Sequence, residues 1–312
     1  MTKNISKKYS DNHECCLIEG DVFKEIKNLP DRSVDLIVSS PPYNLNKEYE
    51  TNKAFDIYLE WLTPLLLDLK RVLKDNGSIC WQVGNYVSKK SNNRNAEIFP
   101  LDIYFYEKFK ALDFKLRNRI IWHFRSGLHA QNRFSGRYET MLWFTKTDDF
   151  TFNLDPVRVP QKYQGKTYHK GKKKGQLSGN PKGMNPSDFW FYELMQNEYA
   201  EGVWDFPNVK ANHPEKTEHP CSFPIELVER CILAFTNEGN VVLDPFSGTG
   251  TTALGAIKNN RKAVAIELFK EYTNIAEERI KQFYDGNLPY RQRGRPIGSA
   301  TGKVAKRVFE EE

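Results

Sequence analysis

The sequence predicts an α/β fold in which a doubly wound, mostly parallel sheet carries helices on both faces. Three observations support this prediction. Short apolar segments typical of buried strands alternate with segments of helical periodicity in both halves of the chain. A glycine-rich turn at 244–250 separates a predicted strand from a predicted helix. Between 155 and 214 the alternation stops, which indicates an insertion of irregular structure.

The composition is that of a folded protein. The 312 residues are 39% hydrophobic and 13% aromatic, which is enough for a sizeable core and unlike a disordered chain. No apolar run approaches the roughly 18 residues of a membrane span, and the amino terminus lacks the apolar region of a signal peptide. The five cysteines do not indicate a disulfide framework, so we expect a cytoplasmic protein without a membrane partner.

Strand and helix patterns alternate through the first half of the chain, where Pro30 and Gly77 each follow a predicted helix. The expected elements are a strand at 15–18, a helix at 22–29, a strand at 34–38, a helix at 55–73, a strand at 78–83, a helix at 100–112 and strands at 120–124 and 140–144.

The same alternation resumes after the insertion. The expected elements are a helix at 225–235, a strand at 241–243, a helix at 251–258, a strand at 263–266 and a helix at 270–283. We therefore divide the chain into a first half of the sheet domain at 15–150, the insertion at 155–214, a second half of the same domain at 215–285 and a basic flexible tail at 286–312.

A nucleoside-cofactor site is predicted at the glycine-rich turn. The turn reads Asp244-Pro-Phe-Ser-Gly248-Thr-Gly250, and its glycines would let a ligand approach the backbone closely. Glu267 ends the next strand, where a carboxylate can accept hydrogen bonds from ribose hydroxyls. The turn lacks the lysine of a phosphate-binding P-loop, and the G-x-G-x-x-G pattern is incomplete, so a bare tight turn is the alternative.

A substrate loop is predicted directly after the strand at 34–38. It reads Ser40-Pro41-Pro42-Tyr43 and follows the carboxyl end of a parallel strand, where open α/β sheets bind ligands. Neither proline can donate a hydrogen bond, so the loop presents only acceptors beside an aromatic ring. Such a surface suits a flat substrate that bears an amino group, with an ordinary turn as the alternative for this loop taken alone.

Together the two motifs resemble those of the DNA amino-methyltransferases that use S-adenosylmethionine. The order here, with the Ser-Pro-Pro-Tyr loop first, the insertion second and the Asp-Pro-Phe turn last, resembles the circularly permuted beta class of that family. The resemblance covers residues 15–285 and includes Gly20-Asp21, residues 203–207 and His219-Pro220. It implies a Rossmann-like methyltransferase sheet whose insertion recognises the DNA target.

The resemblance also implies roles for individual residues. The methionine part of S-adenosylmethionine would be bound by the segment 219–224, which includes Pro220, and by Asp244, Phe246, Gly248, Gly250 and Thr251. Glu267 would accept from the ribose hydroxyls. Asp21 would lie near the adenine, and a helix N-cap is its alternative role. The target base, flipped out of the duplex, would be held by Ser40, Pro41, Pro42 and Tyr43.

These roles predict site-specific methyl transfer to the exocyclic amino group, N-4, of cytosine in duplex DNA. Ser40 stands where the adenine N-6 branch of the family usually has aspartate, and this resembles the cytosine N-4 branch. The alternatives are adenine N-6 methylation, methylation of RNA or of protein glutamine, and a non-catalytic DNA-binding protein with this fold. Cys221 follows a proline like the nucleophile of ring-carbon cytosine methyltransferases, but its segment is assigned to the cofactor.

Two basic segments without carboxylates are expected to contact DNA. One, at 157–187, contains Lys172, Lys173 and Lys174, which would bind phosphates. The other, at 291–307, contains Arg293 and Arg295 in a Gln-Arg-Gly-Arg-Pro sequence that resembles the core of minor-groove AT-hook peptides, with a solubilising tail as the alternative.

The predicted partners follow from these assignments and from the resemblance. They are double-stranded DNA and, from the restriction-modification context of the family, a cognate restriction endonuclease. Monomer and homodimer both stay open. The histidines and cysteines lack the paired spacing of zinc sites, so no metal is predicted.

Overall fold

The computed structural model describes residues 5–44, 54–88, 97–124, 129–161, 163, 165–191, 209, 213–219 and 222–291. Its strands are β1 (Cys15–Glu19), β2 (Val34–Ser39), β3 (Leu73–Val83), β4 (Asn85–Val87), β5 (Ile98–Pro100), β6 (Lys115–His123), β7 (Tyr138–Thr145), β8 (Phe189–Phe191), β9 (Val241–Asp244) and β10 (Lys262–Glu267). Its helices are α1 (Val22–Glu25), α2 (Phe55–Val72), α3 (Leu101–Ala111), α4 (Ile225–Phe235), α5 (Thr251–Lys258) and α6 (Lys270–Tyr284).

Within these residues the main sheet has the strand order β1-β10-β9-β2-β3-β7-β6-β8. The strands from β1 to β3 in that order pair in parallel, and β8 pairs in parallel with β6. By contrast, β7 runs antiparallel to both of its neighbours, and β4 and β5 form a separate antiparallel pair. The predicted α/β fold with a mostly parallel sheet is confirmed, whereas the sequence patterns did not predict the direction of β7.

Helices cover both faces of the sheet because successive strand residues point to opposite sides. Leu36 and Val38 of β2 belong to the core that includes residues of α4, α5 and α6. Ile37, between them, belongs to the opposite core, which includes residues of α1, α2 and α3. The sheet is therefore buried on both sides, which leaves the ends of its strands as the place for ligands.

Two predicted helix ends differ from the structure. The helix predicted at 22–29 is α1 followed by a 3₁₀ turn at Ile26–Asn28. The helix predicted to run to 73 ends at Val72, and β3 begins at once because Leu73 pairs with Val34. Gly77 therefore lies inside a strand, where an added Cβ would come within 2.8 Å of the Asp35 carbonyl oxygen.

The described part of the insertion is mainly irregular, as predicted. It contains a 3₁₀ turn at Asp155–Val157, isolated pairings such as Thr167 with Leu177, and β8, which joins the edge of the main sheet. No helix within the described ranges is both long and apolar enough to cross a bilayer.

The chain stays packed beyond Gly286, where the sequence analysis began the flexible tail. Leu288 is buried, and Arg291 forms a 2.6 Å ion pair with Glu226 of α4 in which both side chains are 2% exposed. The ordered domain therefore extends at least to Arg291. Arg293, Arg295 and the rest of the basic tail lie outside the described residues.

Candidate active site

The predicted cofactor turn (residues 244–250) and the predicted substrate loop (residues 40–43) meet because β9 and β2 are neighbours in the sheet. The register pairs Leu36 with Val242 and Ile37 with Leu243, so the carboxyl ends of both strands lie at one edge. There Ser39 donates a 2.6 Å hydrogen bond to Oδ1 of Asp244. Two motifs separated by about 200 residues in sequence thus form one site.

Asp244 is a buried anchor for both loops. Besides Ser39, it accepts a 2.6 Å hydrogen bond from the Thr252 hydroxyl and a 3.1 Å hydrogen bond from the Phe246 amide. Burial raises the pKa of Asp244 to about 6, although all three donors act to lower it. The carboxylate therefore joins the end of β2, the turn after β9 and the first turn of α5.

The two glycines of the turn serve different purposes. Both have positive φ, +50° at Gly248 and +77° at Gly250. At Gly250 an added Cβ would lie 2.9 Å from the Ala276 Cβ, so this glycine lets α6 pack closely. At Gly248 the nearest atom to an added Cβ is Nε2 of His219, at 3.4 Å. The backbone at Gly248 is thus the more open of the two.

Glu267 and Asp21 both bind backbone amides. Glu267 Oε2 accepts a 2.8 Å hydrogen bond from the Gly248 amide, and Oε1 accepts a 3.0 Å hydrogen bond from the Phe269 amide. Burial raises the pKa of Glu267. Each carboxylate oxygen has a further lone pair that could accept from a ligand. Asp21 caps α1 through a 3.1 Å hydrogen bond from the Phe23 amide, which is the alternative role considered from sequence.

Sequence patterns missed Arg279, which supports the turn from α6. Its Nη1 donates a 2.6 Å hydrogen bond to the Thr249 carbonyl oxygen and lies 3.3 Å from the Thr251 hydroxyl. Burial lowers the pKa of Arg279 to about 10. An arginine within a helix carries no signal of this role, because the residues that it contacts lie some 30 positions earlier.

One buried hydroxyl in the turn fits a ligand. Ser247 Oγ is on a residue only 6% exposed and has no hydrogen-bond partner in the described ranges. A buried hydroxyl normally has a partner. It lies beside Gly248, where an added Cβ would make ordinary contacts with the His219 ring, so an unmet hydrogen bond lies next to space for a small group. The ring of His219 borders this space and packs against Tyr272 at 4.6 Å, whereas Pro220 lies outside the described residues.

Two tyrosines, Tyr43 of the loop itself and Tyr58 of α2, form hydrogen bonds to the substrate loop. Ser40 Oγ donates a 2.9 Å hydrogen bond to the Tyr43 hydroxyl, and the buried Tyr58 donates a 2.8 Å hydrogen bond to the Pro42 carbonyl oxygen. Because the Ser40 proton is directed toward Tyr43, the lone pairs of Ser40 Oγ stay available as acceptors. Pro41, which is buried, adds no donor.

Behind Tyr43 lie two polar residues that sequence patterns also missed. The Tyr43 hydroxyl lies 3.4 Å from the Gln82 carbonyl oxygen and 3.5 Å from Oε2 of Glu139. The Gln82 side-chain amide donates to the same Glu139 oxygen. Burial raises the pKa of Glu139 to about 7. Glu139 reaches this edge because β7 is antiparallel, which brings its first residues beside the last residues of β3.

The predicted DNA-binding lysines lie on the insertion. Lys172, Lys173 and Lys174 are exposed, and the Lys173 ammonium lies 5.9 Å from the centre of the Tyr168 ring. A nearby cavity of about 420 Å³ has polar and cationic side chains in its wall, among them Arg158, Gln161, Lys166 and Lys182. The insertion thus presents several cationic side chains to solvent.

Comparisons with known proteins identify the family of this chain. A family model described as DNA methylase matches residues 34–278. The type II methyltransferase M.BglII of Bacillus subtilis is 44% identical over 92% of this chain and 74% of its own length. The DNA adenine methyltransferase YhdJ of Escherichia coli K12 is 31% identical over 90% of this chain and 92% of its own.

A solved structure also has this fold. TTHA0409 of Thermus thermophilus, crystallised with S-adenosyl-L-methionine, is 26% identical, with a TM-score of 0.57 over 87% of this chain and 93% of its own. The family model alone covers well over half of the chain. The protein therefore belongs to the DNA methylase family of N-6 and N-4 amino-methyltransferases.

Proposed function

We propose that this protein transfers the methyl group of S-adenosylmethionine to the exocyclic N-4 amino group of cytosine in duplex DNA. The observation that carries the proposal is the hydrogen bond from Ser39 to Asp244, which joins the turn that we propose for the cofactor to the loop that we propose for the base. An amino group held by that loop would face a ligand bound at the turn. This is the arrangement that direct transfer between two bound reactants requires.

The cofactor turn fits S-adenosylmethionine. The unpartnered Ser247 hydroxyl and the backbone at Gly248, which carries no side chain, would receive its methionine part, together with Phe246 and Thr251. Glu267 would accept from the ribose hydroxyls, Asp21 would lie toward the adenine, and Pro220 would close the methionine side. The bound cofactor supplies an electrophilic methyl group on a sulfonium. The complex of TTHA0409 with S-adenosyl-L-methionine supports this assignment.

The substrate loop would activate the amino group by accepting its protons. The amino lone pair of a nucleobase is delocalised into the ring and is a poor nucleophile. Hydrogen bonds to Ser40 Oγ and to the Pro41 carbonyl oxygen would draw that lone pair out of conjugation. A base inside a duplex cannot reach the strand ends of this sheet, so it would be flipped out, with the ring of Tyr43 against its face.

The DNA itself would be held by the insertion. The exposed lysines 172–174 supply phosphate contacts, and polar side chains around the nearby cavity could reach base edges. We propose Arg293 and Arg295 as further contacts in the minor groove. The type II relatives support a restriction-modification role with a cognate endonuclease.

Adenine N-6 methylation is the second candidate, favoured by the similarity to YhdJ. An adenine amino group offers the same donors to Ser40 and Pro41, so the substrate loop alone accommodates either base. The serine at position 40 is our reason for placing cytosine first.

Mass spectrometry of nucleosides distinguishes these outcomes. DNA from a host without methylation is incubated with the full chain and S-adenosylmethionine that carries a deuterated methyl group, and then digested. We expect labelled N-4-methylcytosine. Labelled N-6-methyladenine would support the second candidate. Cofactor binding without any labelled nucleoside would indicate a non-catalytic DNA-binding protein.

A further inference from the structure

A line of hydrogen-bonding groups leads away from the substrate loop into the sheet. It runs from Ser40 Oγ to the Tyr43 hydroxyl at 2.9 Å, and from there to Oε2 of Glu139 at 3.5 Å. The first two groups are neutral hydroxyls, and the third is a carboxylate. Gln82 donates to that carboxylate from β3 and fixes its orientation.

The proposed reaction creates a proton that must leave. As the nitrogen–carbon bond to the methyl group forms, the carbon–sulfur bond breaks and its electron pair stays on sulfur. The nitrogen then carries a positive charge and one proton in excess. Ser40 and Tyr43 can pass a proton on, but neither hydroxyl retains an added proton near neutral pH. A base is needed at the far end of this line.

We propose that Glu139 is the terminal proton acceptor of methyl transfer, reached through the hydroxyls of Ser40 and Tyr43. This inference rests on the proposed amino methylation. The excess proton of the methylated nitrogen moves to Ser40 Oγ, the Ser40 proton moves to Tyr43, and the Tyr43 proton moves to Glu139. The products are the methylamino base, neutral S-adenosylhomocysteine and a protonated carboxyl group, so atoms and charge balance.

The surroundings of Glu139 suit such a base. Desolvation of the partly buried side chain raises its pKa to about 7, and general bases are most effective when their pKa lies near the ambient pH. The hydrogen bonds from Gln82 and Tyr43 act in the opposite direction and lower the pKa of Glu139. On the neighbouring strand β6, the residue paired with Glu139 is Trp122, which carries no titratable group. The 3.5 Å contact to Tyr43 is long, as catalytic hydrogen bonds often are before substrate binds.

A purely structural role predicts a different outcome on substitution. In Glu139→Gln the side chain keeps its size and a carbonyl oxygen that can accept from Gln82 and Tyr43, but it cannot take up a proton. If Glu139 only supported Tyr43, this variant would therefore keep its rate. In Tyr43→Phe the carboxylate stays while the line of hydroxyls is interrupted, so the two variants test the same path at different points.

The test is single-turnover methyl transfer to a DNA duplex between pH 5.5 and 9, with saturating S-adenosylmethionine. For the wild type we expect a rate that rises with pH through an apparent pKa near 7. In Glu139→Gln we expect a loss of roughly 100-fold or more, the lower end of general-base effects, and no such rise. The affinity of Glu139→Gln for S-adenosylmethionine, measured by calorimetry, should stay within about twofold of the wild-type value, which would show that the variant is folded. Glu139→Asp should recover part of both the rate and the pH dependence.

The outcomes separate this inference from the function on which it rests. If the wild type places no methyl group on an amino nitrogen, both are overturned. If the wild type does so while Glu139→Gln keeps its rate and the same pH profile, only the role of Glu139 is overturned. Should Glu139→Gln lose cofactor binding, the decision passes to Tyr43→Phe, for which a wild-type rate and pH profile would equally overturn that role.

Discussion

Ser39 donates a 2.6 Å hydrogen bond to Asp244, and both side chains are almost fully buried. The bond joins the last residue of β2 to the last residue of β9, at the point where the substrate loop and the cofactor turn begin. A substitution at either residue should therefore disturb both the cofactor turn and the substrate loop.

Replacement of Ser39 by alanine should weaken both stability and cofactor binding. Asp244 would lose one of its three donors, and an unmet hydrogen bond to a buried group costs about 1–3 kcal/mol. Urea denaturation and calorimetry measure the two effects. Ser33→Ala is the matched control, since Ser33 donates a 2.7 Å hydrogen bond to the Pro30 carbonyl oxygen at the surface. Equal effects of the two substitutions would contradict the anchoring role.

Gly248→Val should abolish binding of S-adenosylmethionine. Its φ of +50° disfavours a β-branched residue, and the added side chain would extend toward the His219 ring, whose Nε2 would lie 3.4 Å from the new Cβ. Gly239→Val is the control, because Gly239 also has a positive φ, +78°, but lies in open space between α4 and β9. Calorimetry of both folded variants decides the matter. Unchanged affinity in Gly248→Val would remove the cofactor from this turn.

Tyr43→Ala should keep cofactor binding and lose most methyl transfer, because the ring is proposed to hold the flipped base. Stacking alone would let Tyr43→Phe keep much of the rate. Since the Tyr43 hydroxyl accepts from Ser40 and reaches Glu139, we instead expect the phenylalanine variant to lose roughly 10-fold or more. Transfer rates at saturating cofactor test this. A wild-type rate for Tyr43→Phe would mean that the hydroxyl is dispensable.

His213 should make stability depend on pH. Burial and the nearby charge of Arg291 lower its pKa from 6.5 to about 4, so the unfolded chain binds a proton more readily. The stabilisation by neutral His213, which accepts a 3.2 Å hydrogen bond from the Glu215 amide, is present above pH 6.5 and lost as pH falls toward 4. The difference in unfolding free energy between the wild type and His213→Asn should shrink over that range.

The two basic segments should contribute differently to DNA binding. Neutralising Lys172, Lys173 and Lys174 should weaken binding and lower the slope of log affinity against log salt by about 0.9 for each phosphate that the protein no longer neutralises. A chain that ends after Arg291, which keeps the buried ion pair with Glu226, should methylate the same sequence as the full chain. A minor-groove arm distinguishes little beyond A·T from G·C. Methylation of a new sequence by the shortened chain would place target recognition in the tail.

Patterns within short segments of the sequence predicted the features that depend only on neighbouring residues, such as the ends of helices. The bounds of α4 and α5 were predicted to the residue, because apolar spacing and the glycine turn mark them. Contacts between distant segments were not predictable in this way. Nothing near Gly250 in sequence indicates that Ala276 packs against it, and nothing near Glu139 indicates that an antiparallel strand brings it beside Tyr43.

The same limit explains the boundary of the tail. Residues 287–291 follow Gly286 and lead into the basic segment at 291–307, so they were assigned to the flexible extension, but Glu215 and Glu226, which bind Arg291, lie more than 60 positions earlier. Only the folded chain brings these groups together. The family motifs could be recognised from the sequence because each lies within one short segment.

The proposed reaction is tested most directly by the bond that forms in the product. DNA whose exocyclic amino groups carry nitrogen-15 is methylated with S-adenosylmethionine labelled with carbon-13 in its methyl group, and the product nucleosides are examined by nuclear magnetic resonance. We predict a one-bond coupling between carbon-13 and nitrogen-15 on cytosine. A labelled methyl group without that coupling, as on the ring carbon of cytosine, would contradict amino methylation.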